Sequence, residues 1–238
     1  MAKFTCPYCL REYRAREVLY WCPTCNKAVK ASGFGQDVKC PTCHGRAPYR
    51  KCKFSDCSAG DGGTDFIPRE ALQAPYLSFS IVGLSNSGKT NFITVLLNEL
   101  QKGGGLHLPS GPLNNSSREK QSKNYDLIFN RHQKPDATKP NSETPQIWNI
   151  KNMGKQKGMN TPTYVFTVFD GAGESHTKLD PSSTECRYIA ASEAIIITLD
   201  PLSLSGVRNG GFVDSKTLKN SGILRFCEMF LSLCCNRN

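Results

Sequence analysis

Four pairs of cysteines crowd the first 57 residues of this 238-residue chain, and they constrain its folding more than any other feature. Cys6 and Cys9 frame "CPYC", Cys22 and Cys25 frame "CPTC", Cys40 and Cys43 frame a second "CPTC", and Cys52 and Cys57 close the series in "CKFSDC". A C-x-x-C turn folds the backbone into a tight knuckle that aims two sulfurs at one point. Two knuckles complete the tetrahedral S4 shell that Zn2+ prefers. Disulfides are the competing chemistry, but they need an oxidising compartment, and the N-terminal "MAKFTCPYC" lacks the apolar core of a secretion signal. A thioredoxin-like redox centre would set one C-x-x-C beside a βαβ unit rather than three in series. Two zinc ions are therefore expected. Paired in sequential order, the ligands form two ribbons, Cys6/Cys9/Cys22/Cys25 and Cys40/Cys43/Cys52/Cys57. His44 adjoins Cys43 and is an alternative ligand, read here as exposed. So short a segment buries little core, so metal binding would drive its folding.

The formal charge of +10 points to anionic partners: nucleotides, nucleic acid or acidic protein surfaces. Two Zn2+ on eight thiolates would lower it to about +6. The ribbons are read as a cap or protein-docking module. Arg11, Arg14, Arg16, Arg46, Arg50, Lys51 and Lys53, interleaved with Tyr13, Tyr20, Trp21 and Tyr49, leave nucleic acid open as a partner. No apolar run approaches the ~18–20 residues that cross a bilayer, so no membrane is expected and the cytoplasm is the expected compartment. The expected organisation is a double zinc ribbon over 1–57, a linker over 58–74 containing the Gly-rich "SAGDGGTDFIPRE", and an α/β domain over 75–238.

The second constraint is "GLSNSGKT", Gly83 to Thr90, with the spacing G-x-x-x-x-G-K-T. Such a loop wraps phosphate when a strand precedes it and a helix follows. "YLSFSIVG" has the pattern of a buried strand, and "TNFITVLLNELQKGGG" carries Phe92, Ile93, Leu96, Leu97 and Leu100 at helical spacing before three glycines. Gly83 and Gly88 let backbone N–H groups turn inward, and the helix N-terminus adds positive potential. Lys89 would reach the β- and γ-phosphates, and the Thr90 hydroxyl would ligate Mg2+. Gly83, Ser85, Asn86, Ser87, Gly88, Lys89, Thr90 and Asn91 form the expected nucleotide-binding loop.

The next strong strand, "TYVFTVFDGAGE", ends in Asp170, placed to hold Mg2+ through water, and Gly173 follows to give D-x-x-G. In GTP-binding proteins that glycine's N–H meets the γ-phosphate and couples it to a mobile loop. Glu174 comes next, where an attacking water is oriented. A helix around "STECRYIAAS" and a third strand, "EAIIITLDP", complete an alternation that predicts a parallel sheet with helices on both faces, the P-loop NTPase arrangement. Lys89, Asp170, Gly173 and Glu174 are the candidate catalytic residues.

Together, "CPYC…CPTC", "FSIVGLSNSGKT", "TVFDGAGE" and "IIITLDP" resemble the zinc-ribbon-bearing branch of the double-GTPase proteins, within the translation-factor-like class of P-loop GTPases. The resemblance covers about residues 1–205, thinly between 103 and 160. It implies GTP with Mg2+ and a molecular switch in bacterial multi-component systems. Many relatives in the class carry glutamine or histidine where Glu174 stands, and a carboxylate there would repel the γ-phosphate, so slow hydrolysis is expected. A switch threonine belongs in the basic insert 103–144, where Thr144 is chosen over Thr138. The insert's "SSREKQSKNYDLIFNRH" is read as a helix with Tyr125, Leu127, Ile128 and Phe129 on or near its buried side.

A guanine-selecting [N/T]-K-x-D should follow a strand, but "TKLD", Thr177 to Asp180, lies too close to Gly173 to serve. No such motif is seen after Pro201. The expectations are a C-terminally truncated chain, poor discrimination of GTP from ATP, and a third strand left near a sheet edge. The alternatives are a nucleotide-binding scaffold without turnover and an ATP-driven nucleic-acid remodeller.

Overall fold

A computed structural model describes residues 3–31, 38–60, 64–72, 74–84, 87–102, 110–136, 145–151, 163–170 and 184–200. The chain divides into two compact units. One comprises Met1–Leu77, Glu99–Gln121 and Thr144–Thr167; the other comprises Ser78–Asn98, Ser122–Glu143 and Val168–Asn238.

The first unit begins with a two-stranded hairpin, β1 (Lys3–Thr5) against β2 (Glu12–Arg14), with Phe4 opposite Tyr13. A single 3₁₀ turn, Ala15–Glu17, leads into β3 (Leu19–Cys22). β3 lies between β4 (Lys27–Lys30) and β5 (Tyr49–Lys51), antiparallel to both. Each hairpin closes through a cysteine knuckle rather than through the Asn-Gly chemistry of an ordinary two-residue turn.

Two small cores hold these strands. Phe4, Tyr8, Tyr13 and Val18 pack with Cys6, Cys52 and Cys57, and Ile147 and Val165 join them. Val29, Val38 and Ala47 gather around Cys22 and Cys40. Residues 58–74, read as a linker, contribute Ala59, Ile67 and Ala71 to the first core, the last from the 3₁₀ turn Glu70–Leu72.

The main sheet contains β6 (Tyr76–Gly83), β7 (Ser110–Pro112), β8 (Gln146–Lys151), β9 (Thr163–Asp170) and β10 (Ala194–Thr198), in the order β10-β6-β9-β8-β7. β10 is parallel to β6, with Ile196 opposite Ile81. β7 runs antiparallel to β8, so the sheet is mixed, which corrects the all-parallel expectation. The reason is local. "SGP" is a three-residue strand ending in proline, suited to an edge where one N–H row needs no partner. β10 is the other terminal strand among the described residues, and Ile197 and Leu199 are exposed there.

Three α-helices accompany the sheet among the described residues: α1 (Lys89–Gln101), α2 (Asn115–Tyr125) and α3 (Thr184–Ala191). α1 buries Ile93 and Leu97, four apart on one face, while Phe92 is exposed. α2 departs from expectation. It buries a polar stripe of Ser117, Gln121 and Asn124, while the π-turn Asp126–Asn130 that continues it buries nothing. Ser117 explains part of that choice, because its Oγ accepts the Ile147 N–H at 2.8 Å. Tyr125 and Phe129 instead stack on each other at 4.7 Å.

Candidate functional site

The eight ribbon cysteines gather into two four-sulfur groups, Cys6/Cys9/Cys52/Cys57 and Cys22/Cys25/Cys40/Cys43. All eight expected ligands are used, but the pairing is nested rather than sequential. The first knuckle joins the last pair, and the two middle knuckles join each other. Connectivity explains this: β5 pairs with β3 and then delivers Cys52 directly after Lys51, back to the β1–β2 hairpin. His44 belongs to neither group and is exposed.

The spacing fits zinc. Within the outer group the Sγ···Sγ distances are 3.8 Å for Cys6–Cys57 and 3.9 Å for Cys9–Cys52. In the inner group they are 3.5 Å for Cys22–Cys43 and 3.8 Å for Cys25–Cys40. A tetrahedron with Zn–S bonds of about 2.3 Å has edges of about 3.8 Å. A disulfide would bring two sulfurs to about 2 Å.

Knuckle geometry recurs three times. Leu10, Asn26 and His44, each directly after the second cysteine of its C-x-x-C, take φ of 56°, 52° and 58°. That left-handed conformation costs an ordinary side chain about 1–2 kcal/mol. Leu10 N–H closes on Cys6 O at 2.8 Å and His44 N–H on Cys40 O at 2.9 Å, so the turn sets the backbone whatever the residue.

Burial pushes the Cys6 thiol up, whereas the backbone amides of Cys43 and Thr42 pull Cys40 down to about 6. Cys52 is drawn down to about 7, chiefly by Cys57 and Cys6, with the Tyr13 hydroxyl contributing. Four thiols this close ionise together only when a cation offsets their mutual repulsion.

Tyr13 is a site residue that the sequence pattern does not mark as one. It is buried, its hydroxyl donates to Cys52 Sγ at 3.5 Å, and burial keeps the phenol protonated. Only its place in the β2 register, opposite Phe4, brings it there. Of the other side chains considered for nucleic acid, Arg11 pairs with Asp56 at 2.6 Å and lies over Phe54, and Lys53 pairs with Glu17 at 2.9 Å.

The second candidate site lies in the other unit, where β6 gives way to α1. β6 has a neighbour on each side, β10 and β9, so the loop after Gly83 leaves from the interior of the sheet. In open α/β sheets such positions, beyond the carboxyl ends of strands, are where ligands bind. Thr90 Oγ1 donates to Asp170 Oδ2 at 2.9 Å, which joins the first turn of α1 to the tip of β9. Lys89 is buried, and its Nζ donates to Gly83 O and Leu84 O, both at 2.8 Å. The loop's own carbonyls thus hold the ammonium inside the turn.

The two glycines have different reasons. Gly88 has φ of 84°, and its carbonyl accepts the Phe92 N–H at 2.9 Å, starting the helix. At Gly83 any Cβ would fall on Thr198, whose carbonyl oxygen stands 2.5 Å from that position. Ser87 and Thr198 share a hydroxyl hydrogen bond of 2.8 Å, tying the loop to the end of β10. Behind them Phe169 stacks on Tyr188 at 4.3 Å, and the Ser80 and Ser192 hydroxyls bond at 2.6 Å. Asn91 is exposed on α1. Ser85, Asn86, Thr144, Gly173 and Glu174 lie outside the described residues, as do Thr138 and the "TKLD" segment.

No helix among the described residues is long and apolar enough to cross a membrane. No protein-family model matches this chain, and no curated protein matches it significantly.

Proposed function

We propose that the chain binds a nucleoside triphosphate, GTP or ATP, with Mg2+ at the Gly83–Asn91 loop, and acts as a switch whose two zinc ribbons dock a partner. The observation that carries this reading is the 2.9 Å hydrogen bond between Thr90 and Asp170. A hydroxyl directly after the loop lysine and a buried carboxylate at a strand tip form the pair of oxygen ligands that Mg2+ takes beside a phosphate chain.

In this reading Thr90 and Asp170 would hold Mg2+, which would supply charge neutralisation for the phosphate chain. Lys89 exchanges its two backbone carbonyls for phosphate oxygens, a trade that keeps the buried ammonium satisfied. Gly88, free to take positive φ, lets the loop amides point inward. Gly173 and Glu174, which lie outside the described residues, would follow the D-x-x-G resemblance, the first sensing the γ-phosphate through its amide and the second orienting the attacking water. A carboxylate at Glu174 favours slow turnover, so nucleotide binding without hydrolysis is the second reading.

The test is a titration of fluorescent GTP and ATP with and without Mg2+, together with phosphate release. Lys89→Ala should weaken binding about 10–100-fold, the range for a lost charge-assisted hydrogen bond. Thr90→Ala should abolish the Mg2+ dependence. Wild-type protein that binds neither nucleotide in Mg2+ overturns the proposal. Binding without phosphate release selects the non-hydrolysing reading.

A further inference from the structure

The three-stranded sheet of the inner ribbon has two faces, and the register sorts its side chains between them. Tyr20 and Val29 lie opposite each other on the face that packs toward the sulfurs. On the other face, Leu19 lies between Lys30 and Lys51, and Trp21 lies between Ala28 and Tyr49. That face therefore carries a row with two lysines beside a row with two aromatic rings.

A third ring completes the platform. Phe66 stacks on Tyr49 with centroids 4.7 Å apart and planes at 16°, and lies 6.4 Å from Trp21. Lys51 Nζ sits 5.3 Å from the Trp21 ring centroid. The platform is held before any ligand arrives. Phe66 O accepts the Tyr8 hydroxyl at 3.2 Å, and Ile67 N–H donates to Arg50 O at 2.8 Å. Gly60, at φ 80°, leaves just enough room for the ring, since a Cβ there would meet Phe66 at 3.1 Å. Tyr49 nevertheless remains 46% exposed. The three rings and Arg50 border a cavity of about 840 Å³.

Charge selects the occupant. Between Leu19 and Lys51 the sequence has six cations against one acid, Asp37; the register puts Lys30 and Lys51 on the ring-bearing face, and Lys27 and Arg50, opposite Cys22 and Tyr20, on the other. The cavity itself is bordered by three acids, Asp65, Glu70 and Glu119, against two cations, Arg50 and Arg69, with Asp65 accepting the Ser116 N–H at 3.3 Å. Phosphates are thus disfavoured inside and favoured along the lysine row, while flat, uncharged bases suit the rings. A single strand separates bases from phosphates in this way; a duplex keeps its bases stacked and inaccessible.

We propose that this face, built on Trp21, Tyr49, Phe66, Lys30 and Lys51, binds single-stranded nucleic acid by base stacking with phosphates on the lysines. The proposal specifies the ribbon partner and requires the zinc-loaded fold, but not an occupied nucleotide loop. The test is fluorescence anisotropy of a labelled 12-nucleotide oligouridylate with the full, zinc-loaded chain across a KCl series. Affinity should fall with salt, with a logarithmic slope of about 0.7 per phosphate neutralised. Tyr49→Ala should weaken binding about 5–100-fold, the range for one lost stacking contact, while Tyr49→Phe keeps it. Replacing both Lys30 and Lys51 by alanine should lower the salt slope by about 1 to 1.5. Zinc content and nucleotide affinity should stay at the wild-type value in Tyr49→Ala, so failure here is distinguishable from failure of the nucleotide reading. Absence of binding at low salt overturns the proposal. So does equal affinity for a duplex, and so does an unchanged Tyr49→Ala affinity with displacement by polyglutamate, which would make this a surface for acidic protein.

Discussion

The two four-cysteine groups each offer four sulfurs, one from two C-x-x-C knuckles and the other from one knuckle and the wider Cys52–Cys57 pair, yet their surroundings are opposite in kind. Around the outer centre each acid is matched with a cation: Glu12 with Lys3, Glu17 with Lys53 and Asp56 with Arg11. The charged residues of the inner ribbon, from Leu19 to Lys51, are six cations and one acid. The outer sulfurs share a core with Tyr13, Ile67, Ile147 and Val165, whereas among the described residues the inner sulfurs have Val29, Val38 and Ala47 as buried apolar company. The difference separates two tasks that one motif can perform. A neutralised, deeply cored centre holds a fold together, and a charged, shallow one presents a surface.

The largest expected effect comes from removing one ligand from each centre in turn. Cys57→Ser should lose the outer zinc and with it the shared core, lowering stability by several kcal/mol given the ~10–16 kcal/mol that structural zinc supplies. Cys43→Ser should lose the inner zinc while the outer ion and the Ile147–Val165 core persist. Zinc stoichiometry and thermal unfolding of the two variants check this. A Cys43→Ser protein as unfolded as Cys57→Ser would erase the distinction.

A smaller effect should follow from Tyr13→Phe, which removes the hydroxyl bonded to Cys52 and leaves the ring in place. About 1 kcal/mol of stability and about tenfold in outer zinc affinity are at stake. Competition with a chromophoric chelator should show one weakened site and one unchanged site. The smallest effect belongs to Lys53→Ala. Its pair with Glu17 is exposed, so the loss of stability should be the smallest of the series and should vanish in high salt.

What the sequence reveals follows the range of each interaction. The strand before the loop, the helix after it and the strand ending in Asp170 are written in local periodicity, and they occupy Tyr76–Gly83, Lys89–Gln101 and Thr163–Asp170. Each knuckle is equally local, since four residues suffice to build it. Which knuckles meet is not local. It depends on β5 pairing with β3 across an intervening stretch, and no spacing rule encodes that register. The polar stripe of α2 escapes for a related reason. Ser117 is buried because it serves the Ile147 amide, a partner thirty residues away, and hydrophobic periodicity gives no sign of it. Pro112 at the antiparallel edge is visible as a residue, but its strand is too short to show a pattern.

Nesting also sets a schedule for a chain emerging from the ribosome. The inner cluster spans 21 positions from Cys22 to Cys43, whereas the outer spans 51 from Cys6 to Cys57. Loop-closure entropy alone favours the shorter ring by about 0.8 kcal/mol. Its last ligand is also synthesised first. Metal bound in that ring would therefore be expected to come first and to bring Cys52 toward the Cys6–Cys9 knuckle. A second ion would then close the longer ring around it.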